Sequence, residues 1–350
     1  MNSQLGIFKY SKNNNKKVKF SDWDIIGHET QIEYLQSNIS QGDLAHAYLF
    51  TGEEQVGKKR VALVFIKSLL CDATSKPCGK CAPCLQIDRG IHPDAVFLSG
   101  NESIKIGEIR ELISRMSLKP FNSAYKIAVI DNAERLTPEA SNALLKTLEE
   151  PPGEAVLILT TKDYSNLLPT IVSRLRIIKF FKAASFSIRK ILDKKKITIE
   201  KKELISIVSM GRPGRALELL EKPDEVEEVE SWLKEFLRLL KQGKAEKLNY
   251  SSKLAKINSS DPDKALRIIT FWVIILRDII NYKNIPGYKS LTARLLGDKS
   301  LEKLDTNNLI HVVKYISAMR TVIANPSSGF NVKLIFDLLV LKLNKLNIYE

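Results

Sequence analysis

The sequence predicts a parallel α/β domain over 20–181, with helices from there to residue 350. Three observations carry that expectation. The apolar runs AYLF (47–50), KIAVID (126–131) and AVLILT (155–160) are separated by helical patterns, the alternation expected of a parallel sheet with crossover helices. The first run leads directly into GEEQVGKK (52–59), which nearly fits a phosphate-binding loop. After Phe180 the strand-like runs stop and only helical periodicity remains.

The elements follow in order. Residues 1–19 read as a polar, basic, flexible arm. VALVFIKSLL (61–70) forms the helix behind the loop, and IRELISRM (109–116) belongs to an amphipathic helix with Ile106, Ile109, Leu112, Ile113 and Met116 at helical spacing. Thr137 suits the N-cap of the next helix, Pro138 its first position, and Pro151–Pro152 its end. A short helical unit is expected over 182–221, with a turn at GRPG (211–214), and a larger helical region over 222–350. FWVIILRDII (271–280) and LIFDLLVLKL (334–343) suit either internal core or a face that assembles with other chains.

The composition, 44% hydrophobic and 27% charged, is that of a globular protein, and 350 residues allow two or three domains. A formal charge of +14 points to an anionic partner such as nucleic acid, although KNNNKK (12–17) and DKKKITIEKK (193–202) also read as solvated surface. No apolar core of signal-peptide length precedes Lys19. The run IITFWVIIL (268–276) is too short to span a bilayer, so the sequence predicts a cytoplasmic chain without a membrane segment.

Gly52, Gly57 and Lys58 match G-x-x-x-x-G-K-[ST], but Lys59 stands where a hydroxyl should hold Mg²⁺ on a nucleotide. Glu53 and Glu54 lie inside the loop, and unit charges near 4 Å interact by ~1–4 kcal/mol. Their side chains are free to turn away, so the charge argument is weaker than the missing hydroxyl. Asp131, ending the second run, can still hold a metal. Cys71, Cys78, Cys81 and Cys84, spaced C-x6-C-x2-C-x2-C with Pro77, Gly79 and Pro83 between them, suit one tetrahedral zinc ion. Four sulfurs fill the shell, so the site is read as structural. An iron–sulfur or redox use stays open. His92 reads as a turn or core residue.

HAYLFTG (46–52), the four-cysteine insertion, SNALLKTLEEPP (141–152) and LLPTIVSR (167–174) together resemble bacterial replicative clamp-loader subunits of the AAA+ superfamily. The resemblance implies a zinc-bearing AAA+ domain with its four-cysteine module at 71–84, a small helical lid over 182–221 and an all-α collar over 222–350 that oligomerises. Two kinds of subunit share this layout: the ATP-hydrolysing tau/gamma motor and the delta-prime subunit of DNA polymerase III. Lys59 removes the Mg²⁺ hydroxyl. Asn132 replaces the glutamate that polarises water in motors, and a neutral amide is no base. Gly214 aligns with the motor arginine that senses the γ-phosphate, with Arg215 one residue away. These departures favour the delta-prime kind, with ATP not hydrolysed by this chain and the loop kept as architecture; nucleotide binding without turnover stays open.

In the same family a Ser-Arg-Cys motif projects an arginine finger into a neighbour's ATP site. Ser173 and Arg174 match it, and Leu175 replaces the cysteine. The implied partners are tau/gamma motor and delta subunits and, through the assembly, the sliding clamp and primed DNA. A motor of the tau/gamma type is the alternative. A zinc-dependent DNA-binding protein is a weaker one, because the cysteine insertion carries only Lys76 and Lys80 as cations.

Overall fold

A computed structural model of the chain describes residues 7–9, 18–99, 102–324 and 331–346. Most of the arm expected over 1–19 therefore lies outside the described residues. The chain divides into two compact units, Met1–Ser187 with Arg212–Gly214, and Ile188–Gly211 with Arg215–Glu350.

The first unit holds strands β1 (Ile7–Lys9), β2 (Lys19–Phe20), β3 (Asp43–Ala45), β4 (Ala47–Thr51), β5 (Ser75–Lys76), β6 (Ala95–Ser99), β7 (Lys126–Asp131), β8 (Ala155–Thr161) and β9 (Arg176–Lys179). Five of them form a parallel sheet in the order β6-β7-β8-β4-β9. This order sets the C-terminal ends of β7, β8 and β4 side by side, where ligands bind in open parallel sheets. The helices are α1 (Glu29–Gln41), α2 (Lys58–Leu70), α3 (Ala82–Asp88), α4 (Ile106–Met116), α5 (Pro138–Glu149) and α6 (Pro169–Val172).

Each central strand is covered on both faces, which is why its sequence is an apolar run and not an alternation. Tyr48, Phe50, Ile127, Val129 and Ile158 pack with Phe65 of α2 on one face. Ala47, Leu49, Ala128, Ile130 and Leu157 pack on the other with Ile109, Leu112 and Met116 of α4 and Leu144 and Leu148 of α5. Burying each of the larger aliphatic and phenylalanine side chains among them contributes about 1.5–3 kcal/mol. The Thr137 hydroxyl accepts the Ala140 amide at 3.2 Å, fixing the start of α5, and the helix stops at Glu149 ahead of the two prolines. That stop positions a residue of the functional site.

The second unit is helical: α8 (Ile199–Val208), α10 (Pro223–Leu240), α11 (Lys244–Ser260), α12 (Pro262–Asn284), α13 (Leu291–Leu296), α14 (Asp298–Glu302), α15 (Thr306–Ile323) and α16 (Val332–Leu343), while α7 (Ser185–Asp193) and α9 (Pro213–Glu221) cross the division. Its core gathers Leu233, Phe236, Leu254, Trp272, Ile275, Phe336 and Leu339, and Leu204 of α8 joins the same cluster. Phe271 to Leu276 are all buried, so the longest apolar run of the sequence is a core helix. No described helix is long and apolar enough to cross a membrane. On α16, Phe336, Leu339, Val340 and Leu343 face the core, while Leu334, Leu338 and Leu341 stay exposed at 57%, 41% and 36%.

Candidate functional site

β4 delivers the chain to Gly52, whose amide donates to the Thr161 carbonyl at 3.2 Å. A Cβ on Gly52 would stand 2.3 Å from the Phe180 carbonyl oxygen, and its φ of +151° suits glycine. The extension of β9 thus crosses the loop at a distance only glycine permits. Gly52→Ala is expected to destabilise the domain by ~2–4 kcal/mol, read as a lower midpoint in urea unfolding with unchanged slope. Gly57, at φ +115°, caps α2. Buried His28 donates from Nε2 to the Val56 carbonyl at 2.8 Å, which holds the loop and fixes the imidazole tautomer.

The two lysines that follow are both engaged within the chain. Lys58, 8% exposed, donates from Nζ to the carbonyls of Gly52 at 2.6 Å and Glu53 at 2.8 Å. Burial lowers its pKa, against the opposing fields of Glu134, Asp131 and Glu54. Lys59 places Nζ 3.2 Å from Asp131 Oδ2. The other Asp131 oxygen accepts the Thr160 hydroxyl at 2.5 Å, and Ser99 donates to Oδ2 at 3.3 Å. Burial would raise the Asp131 pKa, but Thr160 and the Lys59 charge hold it below the ordinary carboxylate value. An ammonium therefore neutralises the acid that ends β7 beside the loop.

The loop acids turn toward cations, Glu53 to Lys182 at 2.8 Å and Glu54 to Lys162 at 3.5 Å. Asn132 adopts a left-handed backbone at φ +59°, a conformation asparagine tolerates, and donates its amide to Thr160 Oγ1 at 3.2 Å. Gly214 donates its amide to the Gln55 carbonyl at 2.9 Å, and a Cβ there would come within 3.0 Å of that oxygen. Arg215 does not stand free in its place: Glu218, at 2.9 Å, and Glu225 both pair with it.

The four cysteines converge. Their sulfurs all lie within 4.8 Å of one another, with Cys71 and Cys84 buried and Cys78 and Cys81 half-buried. The Cys71–Cys81 sulfur separation is 3.8 Å, close to the ~3.8 Å edge of a tetrahedron with 2.3 Å metal–sulfur bonds. The Cys78 amide donates to Cys71 Sγ at 3.4 Å and the Cys81 amide to Cys78 Sγ at 3.3 Å, the kind of support that ligating thiolates receive. The cluster can hold one metal ion. His92 stays outside it, its Nδ1 accepting the Asp94 amide at 3.1 Å.

Arg174 follows Ser173, the C-cap of α6. Its Nη2 donates to Glu149 Oε1 at 2.6 Å, and its Nη1 to the Thr170 carbonyl at 2.7 Å and to Ser173 Oγ at 3.3 Å. Ser173 in turn donates to the Thr170 carbonyl at 3.1 Å. The Arg174 side chain remains 34% exposed.

Residues 27–184 match the DNA polymerase III, delta subunit family over the sheet, the loop, the cysteine cluster and Arg174. That stretch of the chain is similar to the family, which covers 158 of its 350 residues. The relatives carry more than one subunit name. The tau subunit of Bacillus subtilis is 31% identical over 308 residues, 80% of this chain and 54% of that protein. The gamma subunit of Buchnera aphidicola (subsp. Acyrthosiphon pisum) is 35% identical over 57% of each chain. The delta' subunit of Bacillus subtilis is 36% identical over 43% of this chain and 46% of that protein. The chain thus spans about half the length of these relatives. A solved gamma subunit-related protein of Thermotoga maritima is similar at 20% identity and a TM-score of 0.42, over 91% of this chain and 98% of that one.

Sequence reasoning reached the loop, the cysteines and Ser173–Arg174 but missed two partners. Thr160, seen only as a strand end, closes one side of Asp131. Glu149, seen only as part of SNALLKTLEEPP, takes hold of Arg174 across 25 residues of sequence. The signal for Glu149 was an acid at the end of a helix cut short by prolines.

Proposed function

We propose that the chain is a non-hydrolysing, delta-prime-type subunit of a bacterial DNA polymerase III clamp loader that serves a neighbour's ATP site through Arg174. The observation that carries this reading is the internal use of both loop lysines. Lys58 is spent on the carbonyls of its own loop and Lys59 on Asp131, so the site's positive charge comes from the chain instead of from Mg²⁺. Asn132 and Gly214 leave it without a water-activating acid and a phosphate-sensing arginine. With tau, gamma and delta' names all among the relatives, this local chemistry supports the delta-prime role over the motor.

The four cysteines would hold a structural Zn²⁺ that ties the end of α2 to α3; it supplies rigidity and no reaction step. The exposed Leu334, Leu338 and Leu341, at i, i+4 and i+7 on α16, offer an apolar stripe for the helical collar to assemble with tau/gamma and delta subunits. In that assembly the chain would brace cytoplasmic motors that open the sliding clamp and place it on primed DNA.

Equilibrium titration of the isolated chain with a fluorescent ATP analogue tests the loop directly. No saturable, Mg²⁺-dependent binding up to millimolar concentration is expected, with Lys58→Ala indistinguishable from the parent. Micromolar binding that needs Mg²⁺ and is lost in Lys58→Ala would favour the motor reading.

A further inference from the structure

Arg174, half-buried, makes three hydrogen bonds within the chain. Nη1 and Nη2 are held from two different helices, by Thr170 of α6 and by Glu149 at the end of α5, so the guanidinium plane is fixed. Three of its five N–H groups are used in these bonds and the one to Ser173. Nε–H and one Nη2–H have no hydrogen-bond partner among the described residues, and about a third of the side chain stays open to solvent. A planar fork with two donors left over suits an anionic oxygen pair from outside the chain.

Resting on the finger reading, we infer that Glu149 is a positioning residue for Arg174, holding the guanidinium aimed before the neighbour's phosphate arrives. An exposed carboxylate–arginine pair adds little to fold stability. Its larger effect is on freedom: a long side chain already fixed in two places loses less entropy when it engages the transition state. Glu149 stands there because Pro151 and Pro152 end α5 at that residue. The alternative role, a latch that must open before the finger acts, predicts the opposite sign on its removal. The bonds to Thr170 and Ser173 would remain in that case, so opening at Glu149 alone would not free the fork.

The test uses the full chain assembled with its cognate tau/gamma and delta subunits, sliding clamp and primed DNA, following ATP hydrolysis for the parent, Glu149→Ala, Glu149→Gln, Arg174→Ala and the double variant. Glu149→Ala is expected to lower kcat by about five- to thirtyfold, the effect of a freed side chain that must be re-ordered. KM for ATP should stay within about twofold, because uniform substrate binding is untouched. Glu149→Gln, which keeps the acceptor oxygen, should recover part of the loss. On the Arg174→Ala background Glu149→Ala should change the rate by less than about twofold, since both act as one unit. An unchanged or raised kcat in Glu149→Ala, or a loss that adds fully to that of Arg174→Ala, overturns the inference. If Arg174→Ala itself has no effect, the finger reading fails first and takes this one with it, so the two failures are told apart.

Discussion

If Arg174 is the proposed finger, Arg174→Ala will leave the chain folded and able to assemble, yet slow ATP hydrolysis at a neighbouring subunit's site by ~10³-fold, the scale of an arginine finger. Thermal unfolding separates the two effects. The Arg174–Glu149 pair is a partly exposed ion pair, with side chains 34% and 51% accessible, so its loss costs only about 0.2–1 kcal/mol of stability. A fall in turnover without a fall in melting temperature therefore reports the missing charge at the phosphoryl group. Arg174→Lys should rescue little, because a point charge cannot use the Thr170 carbonyl, Glu149 and an incoming phosphate through one plane. A modest, additive loss in both variants, shared with the melting temperature, would mean that Arg174 only braces α5 against α6.

The second large effect lies at the cysteines. The chain as purified under reducing conditions is expected to carry one zinc ion, and stripping it with a strong chelator should melt residues 71–84 while the sheet persists. Structural zinc contributes ~10–16 kcal/mol of apparent binding energy in small zinc modules. Here only part of that appears as global stability, because α2 is already buried against the sheet through Phe65 and Ile66. Cys84→Ala, which removes a buried ligand, should abolish stoichiometric zinc and lower the melting temperature by several degrees; Cys78→Ala, at a half-buried ligand, should do the same to zinc. Metal analysis and hydrogen exchange over 71–84 check both. Iron in place of zinc, or full protection of that segment without metal, would contradict the structural-zinc reading.

The three central strands were legible because they are apolar on both faces and set between helical patterns, and Ala47–Thr51, Lys126–Asp131 and Ala155–Thr161 lie where the runs placed them. The edge strands Ala95–Ser99 and Arg176–Lys179, partly exposed, were not read. The cysteine cluster was legible from spacing alone, since four sulfurs within fourteen residues leave few other arrangements. What the sequence could not reveal was how the charges would pair. Lys58 turns back onto its own loop, whereas the pairs of Lys59 with Asp131, Glu53 with Lys182 and Glu54 with Lys162 depend on residues brought together by sheet order. Such long-range pairs leave no periodicity to read. Arg215, adjacent to the expected sensor position, is instead captured locally, by Glu218 three residues on and by Glu225 ten residues on.

The most direct measurement is steady-state ATP turnover by the full chain alone, and again after assembly with its cognate tau/gamma and delta subunits on clamp and primed DNA, each with Arg174→Ala and Lys58→Ala. The expected result is no turnover alone, stimulated turnover in the assembly that collapses with Arg174→Ala, and assembled turnover nearly unchanged by Lys58→Ala. Robust turnover by the chain alone, abolished by Lys58→Ala, would contradict it and make this chain a motor.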